Sequence, residues 1–357
     1  TIQSKSGDAV KIAGATNVTL RRMAFLNNTD NHIDASSVSG FELRYVNLDN
    51  ATSHGLLASS ITNFTLQDTN IEDNGTTQSN RDGINATNLL GTTTVTGNRF
   101  HHNGTRQFLI YNTAATTAQP GAATDVATFS NNVFSGHTSN FFGDHLSIEA
   151  NGAANMQVIV NNTGGANTFA NGQDGIQASA TGDGNLNVSV SNVSVSNFSG
   201  VGVHLAATSG GDAVFAVANN TITAGGFSQD NGSAIIEAAI GINASQASAD
   251  AGTTRDGSIT GNTITGNTFV NTGINVVVEG PGSSDVTVTG TVLEGDPEVD
   301  SFLKRRAGWL ARHEESGRLA NHEALISRVT RPASFVRATR KGKALPSRLT
   351  TVGSMIT

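Results

Sequence analysis

The chain keeps returning to one short apolar strand led by a Gly or a His. It reads Asn31-His32-Ile33-Asp34-Ala35, His54-Gly55-Leu56-Leu57-Ala58 and Asp82-Gly83-Ile84-Asn85-Ala86, and returns as Asp144-His145-Leu146-Ser147-Ile148 and Asp174-Gly175-Ile176-Gln177-Ala178. A second motif, an aromatic or aliphatic residue followed by an Asn or Gly turn, recurs as Phe25-Leu26-Asn27-Asn28, Ile71-Glu72-Asp73-Asn74 and Phe269-Val270-Asn271. Self-similarity at this period marks a solenoid. The repeated unit holds strands and no helix.

The expected anchor column is Val10, Ile33, Leu56, Ile84, Ile110, Leu146, Ile176, Val203, Ile242 and Ile274. Its uneven spacing implies loop insertions between otherwise similar coils. Around each anchor polarity alternates with period two, as a half-buried strand requires. A second strand fits as Asn17-Val18-Thr19-Leu20, Gly40-Phe41-Glu42-Leu43, Asn63-Phe64-Thr65-Leu66, Asn185-Leu186-Asn187-Val188 and Asp285-Val286-Thr287-Val288. A third carries the column Leu26, Leu48, Ile71, Phe100, Phe134, Phe169, Phe198, Ile222 and Phe269. Three strands per coil with short Asn and Gly corners predict an all-β right-handed parallel β-helix of about ten coils, stacked at roughly 4.8 Å into a rod on the order of 50 Å long.

Composition agrees. There are 40 Gly, and only 5% of residues are aromatic, which suits a narrow tube that buries small side chains. Asn tolerates the left-handed backbone of a tight corner and can bond its counterpart in the next coil. Such a ladder is expected at Asn28, Asn50, Asn74 and Asn103. A propeller would need longer, Trp-bearing repeats and a calcium-binding nonapeptide solenoid a Gly-Gly-x-Gly-x-Asp series; the body has neither.

The strand pattern ends near Glu294. Residues 1–295 carry 9 Lys and Arg against 22 Asp and Glu, a balance of −13, whereas residues 296–357 carry 12 against 6, a balance of +6. The expected division is a β-helix over 1–295 and a basic tail outside it over 296–357. That tail is either a module of short helices with Phe302, Leu303, Trp309 and Leu310 as its apolar face, or a segment never selected as protein. A basic run beside so acidic a body is poor support for nucleic acid, which needs a scaffolded basic face, and none is expected as partner. No run of 18 apolar residues offers a membrane span. With no Cys, disulfides and zinc–thiolate sites are excluded, and no metal site is assigned. Thr1 enters in mid-pattern, so the chain reads as a fragment of a longer protein. The Thr, Asn and Gly-rich acidic composition fits a secreted or cell-surface bacterial protein.

The strand motifs, with their Asp-Gly-Ile corners and the repeats Gly261-Asn262-Thr263-Ile264 and Gly266-Asn267-Thr268-Phe269, resemble right-handed β-helix repeat proteins of the pectate-lyase-like superfamily over roughly residues 8 to 292. The resemblance implies that a substrate groove, if present, runs along the outer face of the first strand. Outward positions there include Asn85, Tyr111, Ser147, Gln177 and His204, with Glu149 two positions on and Asp144, His145 and Asp174 at the corners before them. Glycan-binding candidates are therefore Tyr111, Gln177, His204 and Asn85. Catalytic candidates are Asp144, His145 and Glu149, with Asp144–Asp174 as the other acid pair, because glycoside hydrolysis needs two carboxyl groups across the bond.

The adjacent Asp-Asp pair, Gly-His-Gly turn and Arg-x-Lys strand of polygalacturonases do not occur. A uronate lyase needs calcium or clustered bases, and the body has few. The expectation is a non-catalytic secreted or surface segment, stalk- or adhesin-like and able to bind polysaccharide. The alternative is a polysaccharide lyase or glycoside hydrolase on an acidic polysaccharide. No cofactor is assured; binding of an acidic glycan calls for calcium, because an acidic groove repels a polyuronate unless a cation bridges the charges.

Overall fold

A computed structural model describes residues 1–77, 80–113, 125–136, 143–162, 164–165, 167–208, 211–223, 238–245, 254–265, 272–279, 283–294, 336–341 and 348–352. Every regular element among them is a strand, and every strand pairing is parallel. Three long rows of strands wind in chain order. The third row is an eleven-stranded sheet running from Ile2–Gln3 through Ala24–Leu26 and Asn47–Asp49 to Val292–Glu294. The first row begins with Val10–Ala13 and Ile33–Ser36, and the second with Thr16–Arg21 and Ser39–Arg44. Leu56–Gln67 and Asp82–Thr96 run from the first row into the second without a break.

The alternation read from the sequence places the core. Ile33, Ala35, Leu56, Ala58, Ile84 and Ala86 are buried in the first sheet, and Phe41, Leu43, Phe64 and Leu66 in the second. The third sheet stacks one residue per rung inward. Phe100 and Phe134 lie face to face with centroids 4.5 Å apart, and Phe134 and Phe169 at 4.7 Å. This is the strand spacing itself, so the ladder that pairs the backbones also stacks the rings. Each such pair is worth about 0.5–1.5 kcal/mol beyond its buried area.

The register corrects several expected columns. Ile84 pairs with Phe108, not Ile110, and Val203 pairs with Ile240, not Ile242. In the third sheet the inward residues are Phe25 rather than Leu26 and Val195 rather than Phe198; Phe269 lies outside the described residues. The asparagine ladder holds at Asn74 and Asn103, where Asn103 Oδ1 accepts from Asn74 Nδ2 at 2.9 Å, and Asn28 accepts the Lys5 N–H in the same way. Asn50 is not in it. Ala51 takes that inward place, its N–H donating to Asn74 Oδ1 at 3.0 Å, while Asn50 bonds Asn27 outside.

A second buried ladder lines the corner before the third sheet. The Asn98 N–H donates to Asn132 Oδ1 and the Asn132 N–H to Asn167 Oδ1, at 3.0 and 2.7 Å. Asn220 and Asn262 repeat the bond at 3.0 Å. Each amide also donates back to a carbonyl of an earlier turn, as Asn132 Nδ2 does to Val95 at 2.9 Å. These side chains satisfy the backbone groups that a sharp corner strips from the sheet.

Two described strands come from 296–357. Val336–Lys341 pairs with Thr272–Glu279, and Arg348–Val352 with Ser283–Thr289, so the backbone ladders of the first and second sheets continue past residue 295. Phe302, Leu303, Trp309 and Leu310 lie outside the described residues.

Candidate functional site on the first sheet

The corner that leads from the third sheet into the first carries, on successive rungs, Asn31, His54, Asp82, Arg106, Asp144 and Asp174. Neighbouring rungs place these side chains within bonding reach, and they tie the coils together. Asn31 Nδ2 donates to Asp8 Oδ1 at 2.8 Å, and Asn31 Oδ1 accepts the His54 N–H at 3.1 Å. The Asp82 N–H donates to His54 Nδ1 at 2.9 Å, and Arg106 lies 3.8 Å from Asp82 Oδ1. Farther along, Asp174 Oδ1 accepts the Val201 N–H at 2.7 Å, and Asp174 Oδ2 stands 3.3 Å from His204 Nδ1.

Burial sets the protonation of this column. It pushes the Asp82 carboxyl up to about 6, against the pull of Arg106 and the Asn85 amide. Burial holds His54 down to about 4, with Arg81 adding to it; an imidazole that accepts at Nδ1 must be neutral there. Asp144 is pushed up to about 7, first by burial and then by the Asp174 carboxyl, while Arg106 and His204 pull the other way.

Of the residues expected to form a site, the structure gathers some and separates others. Asn85 donates to Asp82 Oδ2 at 2.7 Å, which ties it to the corner column. Gln177 accepts from Ser147 Oγ at 3.2 Å on the next rung. Tyr111 does not share the row of Asn85, Ser147, Gln177 and His204. With Phe108 as anchor, that row holds Leu109, and Tyr111 sits two positions on, paired with Glu149 and held by Asn151 Nδ2 at 3.0 Å from its hydroxyl. Tyr111 and Glu149 are therefore nearest neighbours on the outer face, both half-buried.

His145 is turned inward, contrary to its expected place on the outer face. It is 1% exposed, its Nε2 lies 2.9 Å from the Ala170 carbonyl, and its ring faces Phe134 and Phe169. Glu149 lies five residues along the chain from Asp144, roughly 15 Å at the rise of a strand, so these two cannot share one bond. The acid pair brought together is Asp144 with Asp174.

Arg106 was not singled out as part of this corner. The misplaced anchor at Ile110 put it two positions too early. His32 likewise proves internal, 0% exposed and bonded to Asn28. Among the described residues no group of three or more His, Cys, Asp or Glu is placed to hold a metal ion, and no helix is long and apolar enough to cross a membrane.

Three rows of parallel strands coiling about one apolar core, with corners laddered by Asn, define a β-helix repeat protein. Residues 1–134 match the family model described as right handed beta helix region; with the three-sheet ladder running on beyond them, the chain is a right-handed parallel β-helix repeat protein. No curated protein matches. Among solved structures, the TibC-catalysed hyper-glycosylated fragment of TibA aligns at 14% identity over 82% of this chain and 97% of that one, with a TM-score of 0.15, a likeness too slight to carry an argument.

Proposed function

We propose that the chain is a non-catalytic, rod-like segment of a secreted or cell-surface protein, stalk- or adhesin-like, whose outer first-sheet face binds polysaccharide. The observation that carries this reading is the bonding of the corner column. Asp82, His54 and Asp174, residue types that could do chemistry, are buried and bonded from rung to rung. Such bonds stiffen a solenoid, whose stability is the sum of nearest-neighbour interfaces. The glycan face is Tyr111 with Glu149, flanked by Gln177, Asn85 and His204. A phenol ring stacks on a sugar, and amides and acids bond its hydroxyls. For an acidic glycan, calcium bridges the two sets of carboxylates.

One observation favours a second reading, a hydrolase or lyase on acidic polysaccharide. Asp144 keeps a proton close to neutrality beside a second carboxyl group, with His204 and Arg106 at hand. A general acid needs that property. The test is turnover of pectins, alginates and glycosaminoglycans by the full chain and by Asp144→Asn. Binding without cleavage supports the rod. Cleavage lost in Asp144→Asn establishes the enzyme and ends the non-catalytic reading.

A further inference from the structure

On the opposite corner, where the second sheet turns into the third, the acidic body carries three arginines around one exposed tyrosine. Arg21 and Arg44 are cross-strand partners on adjacent rungs. Their guanidinium carbons lie 5.7 and 5.1 Å from the centroid of the Tyr45 ring. Arg22 occupies the corner position equivalent to Tyr45, one rung earlier, its N–H donating to Arg44 O at 3.1 Å as the Tyr45 N–H donates to Gln67 O. Among the described residues none of the three arginines makes an ion pair. Asp68, the nearest corner acid, aims Oδ1 at the next rung, 2.7 Å from where a Cβ on Gly97 would sit.

Two independent features mark this corner as unusual. Like charges directly opposite each other on neighbouring strands destabilise a sheet. Moreover, the corner position itself has a left-handed backbone. It is filled by Gly97, Asn131, Asn192, Asn219, Gly261 and Gly290 on later rungs, but by Arg22 and Tyr45 here, both with φ of 53°. A bulky residue in that region carries strain that persists where something else requires it.

We propose that Arg21, Arg22 and Arg44, ordered by the Tyr45 ring, form a binding patch for an anionic polysaccharide bearing sulfate or carboxylate groups. Planar guanidinium forks match either anion with paired charge-assisted bonds. Stacking on Tyr45 holds the forks in place, so less side-chain freedom is lost on binding. A single aromatic ring and a patch of only three arginines favour a glycan over a nucleic acid. A single strand wants successive stacking platforms in a basic groove, and a duplex a broad basic surface. This deepens the rod reading by naming a partner class, and it uses none of the first-sheet residues.

The test is equilibrium binding of the full chain to dextran sulfate, polygalacturonate, neutral dextran and a single-stranded oligonucleotide. Dextran sulfate or polygalacturonate should bind, in a salt-sensitive manner, and neutral dextran should not; which polyanion binds tighter separates sulfate from carboxylate. Replacing Arg21→Gln together with Arg44→Gln should cost about tenfold per guanidinium, the worth of one charge-assisted bond. Tyr45→Asn, which suits the same backbone, should weaken binding without lowering the melting temperature. The proposal is overturned if neither polyanion binds, if the arginine variant binds as tightly as the parent, or if the oligonucleotide binds as tightly through the same arginines. Failure here leaves the turnover test of the first-sheet face standing, so the two outcomes are distinguishable.

Discussion

Asp82 reaches back one rung and donates its backbone N–H to His54 Nδ1 at 2.9 Å, while its own carboxyl group is fully buried. This bond works only while the imidazole is neutral. His54 and His32 are both held down to about 4 by burial, from an ordinary value of 6.5. Between those two values the unfolded chain binds more protons than the folded one, so these histidines make stability rise with pH from about 4 to 6.5 and fade below it. We expect His54→Gln to flatten that dependence, and His54→Ala to cost about 1–3 kcal/mol at neutral pH by orphaning a buried N–H. Denaturant unfolding across pH 4–7 checks both; an unchanged slope in His54→Gln would show that His54 does not titrate as the buried contact requires.

Asp144 works in the opposite sense. Its carboxyl is raised to about 7, so the folded chain holds a proton that the unfolded chain has lost, and this group makes stability fall as pH climbs from about 4 to 7. Replacement by the isosteric, uncharged Asn removes the cost of ionising it there. Asp144→Asn should therefore melt higher than the parent at pH 8, with the difference shrinking toward pH 4. A melting temperature lowered at pH 8 would mean that the ionised form is the one the fold stabilises.

The ladder at the second corner gives a sharper mutational contrast. Asn132 Oδ1 accepts from both the backbone and the side chain of Asn98, at 3.0 Å each, and its Nδ2 donates to Val95 O. Asn132→Ala leaves several buried groups unmatched, and we expect a loss of about 3 kcal/mol or more. Asn50→Ala removes an exposed bond to Asn27 and puts Ala at a left-handed φ of 61°, and should cost only about 1 kcal/mol. Equal losses at the two sites would undo the distinction between inner and outer asparagines.

That contrast also shows how far the sequence could be read. The three strands, their alternation and the Asn corners were legible because each depends on local residue type. Register was not, because a shift by two residues preserves alternation. Ile110 fits an inward column as well as Phe108 does. The same two-residue ambiguity moved Tyr111 out of its row and concealed Arg106. Asn50 and Ala51 differ by one place, and neighbouring corner positions favour Asn for different reasons, one for its left-handed backbone and one for its amide.

His145 had a readable clue. The position just before the strand is Gly at 55, 83, 175 and 202, Ala at 9 and 239, and His or Gln at 32, 107 and 145, and it points into the corner. At Gly83 a Cβ would meet Gln107 O at 2.7 Å and at Gly175 it would meet Gly202 O at 2.6 Å. A position that is either small or filled by a hydrogen-bonding side chain is an interior one. Asp144, two residues before the anchor, instead belongs to the corner column.

The last expectation concerns the first-sheet face. Tyr111 and Glu149 are cross-strand neighbours with half-exposed side chains, outside the apolar core. Replacing both by Ala removes a stacking surface and an acceptor together but empties no core space, so the fold should survive. Loss of the Tyr111 hydroxyl frees Asn151, a residue near the surface, at a cost of about 1 kcal/mol. Glycan binding at this face should be lost in the double variant, with melting within a few degrees of the parent. If the bound glycan is a polyuronate, its affinity should fall on chelation of calcium, whereas a neutral glycan should be indifferent, because only the charged polymer is repelled by Glu149 and its neighbours. Isothermal titration with and without chelator separates the cases. Full affinity retained by the double variant would place the glycan elsewhere on the rod, with the Arg21–Arg44 corner as the next surface to probe.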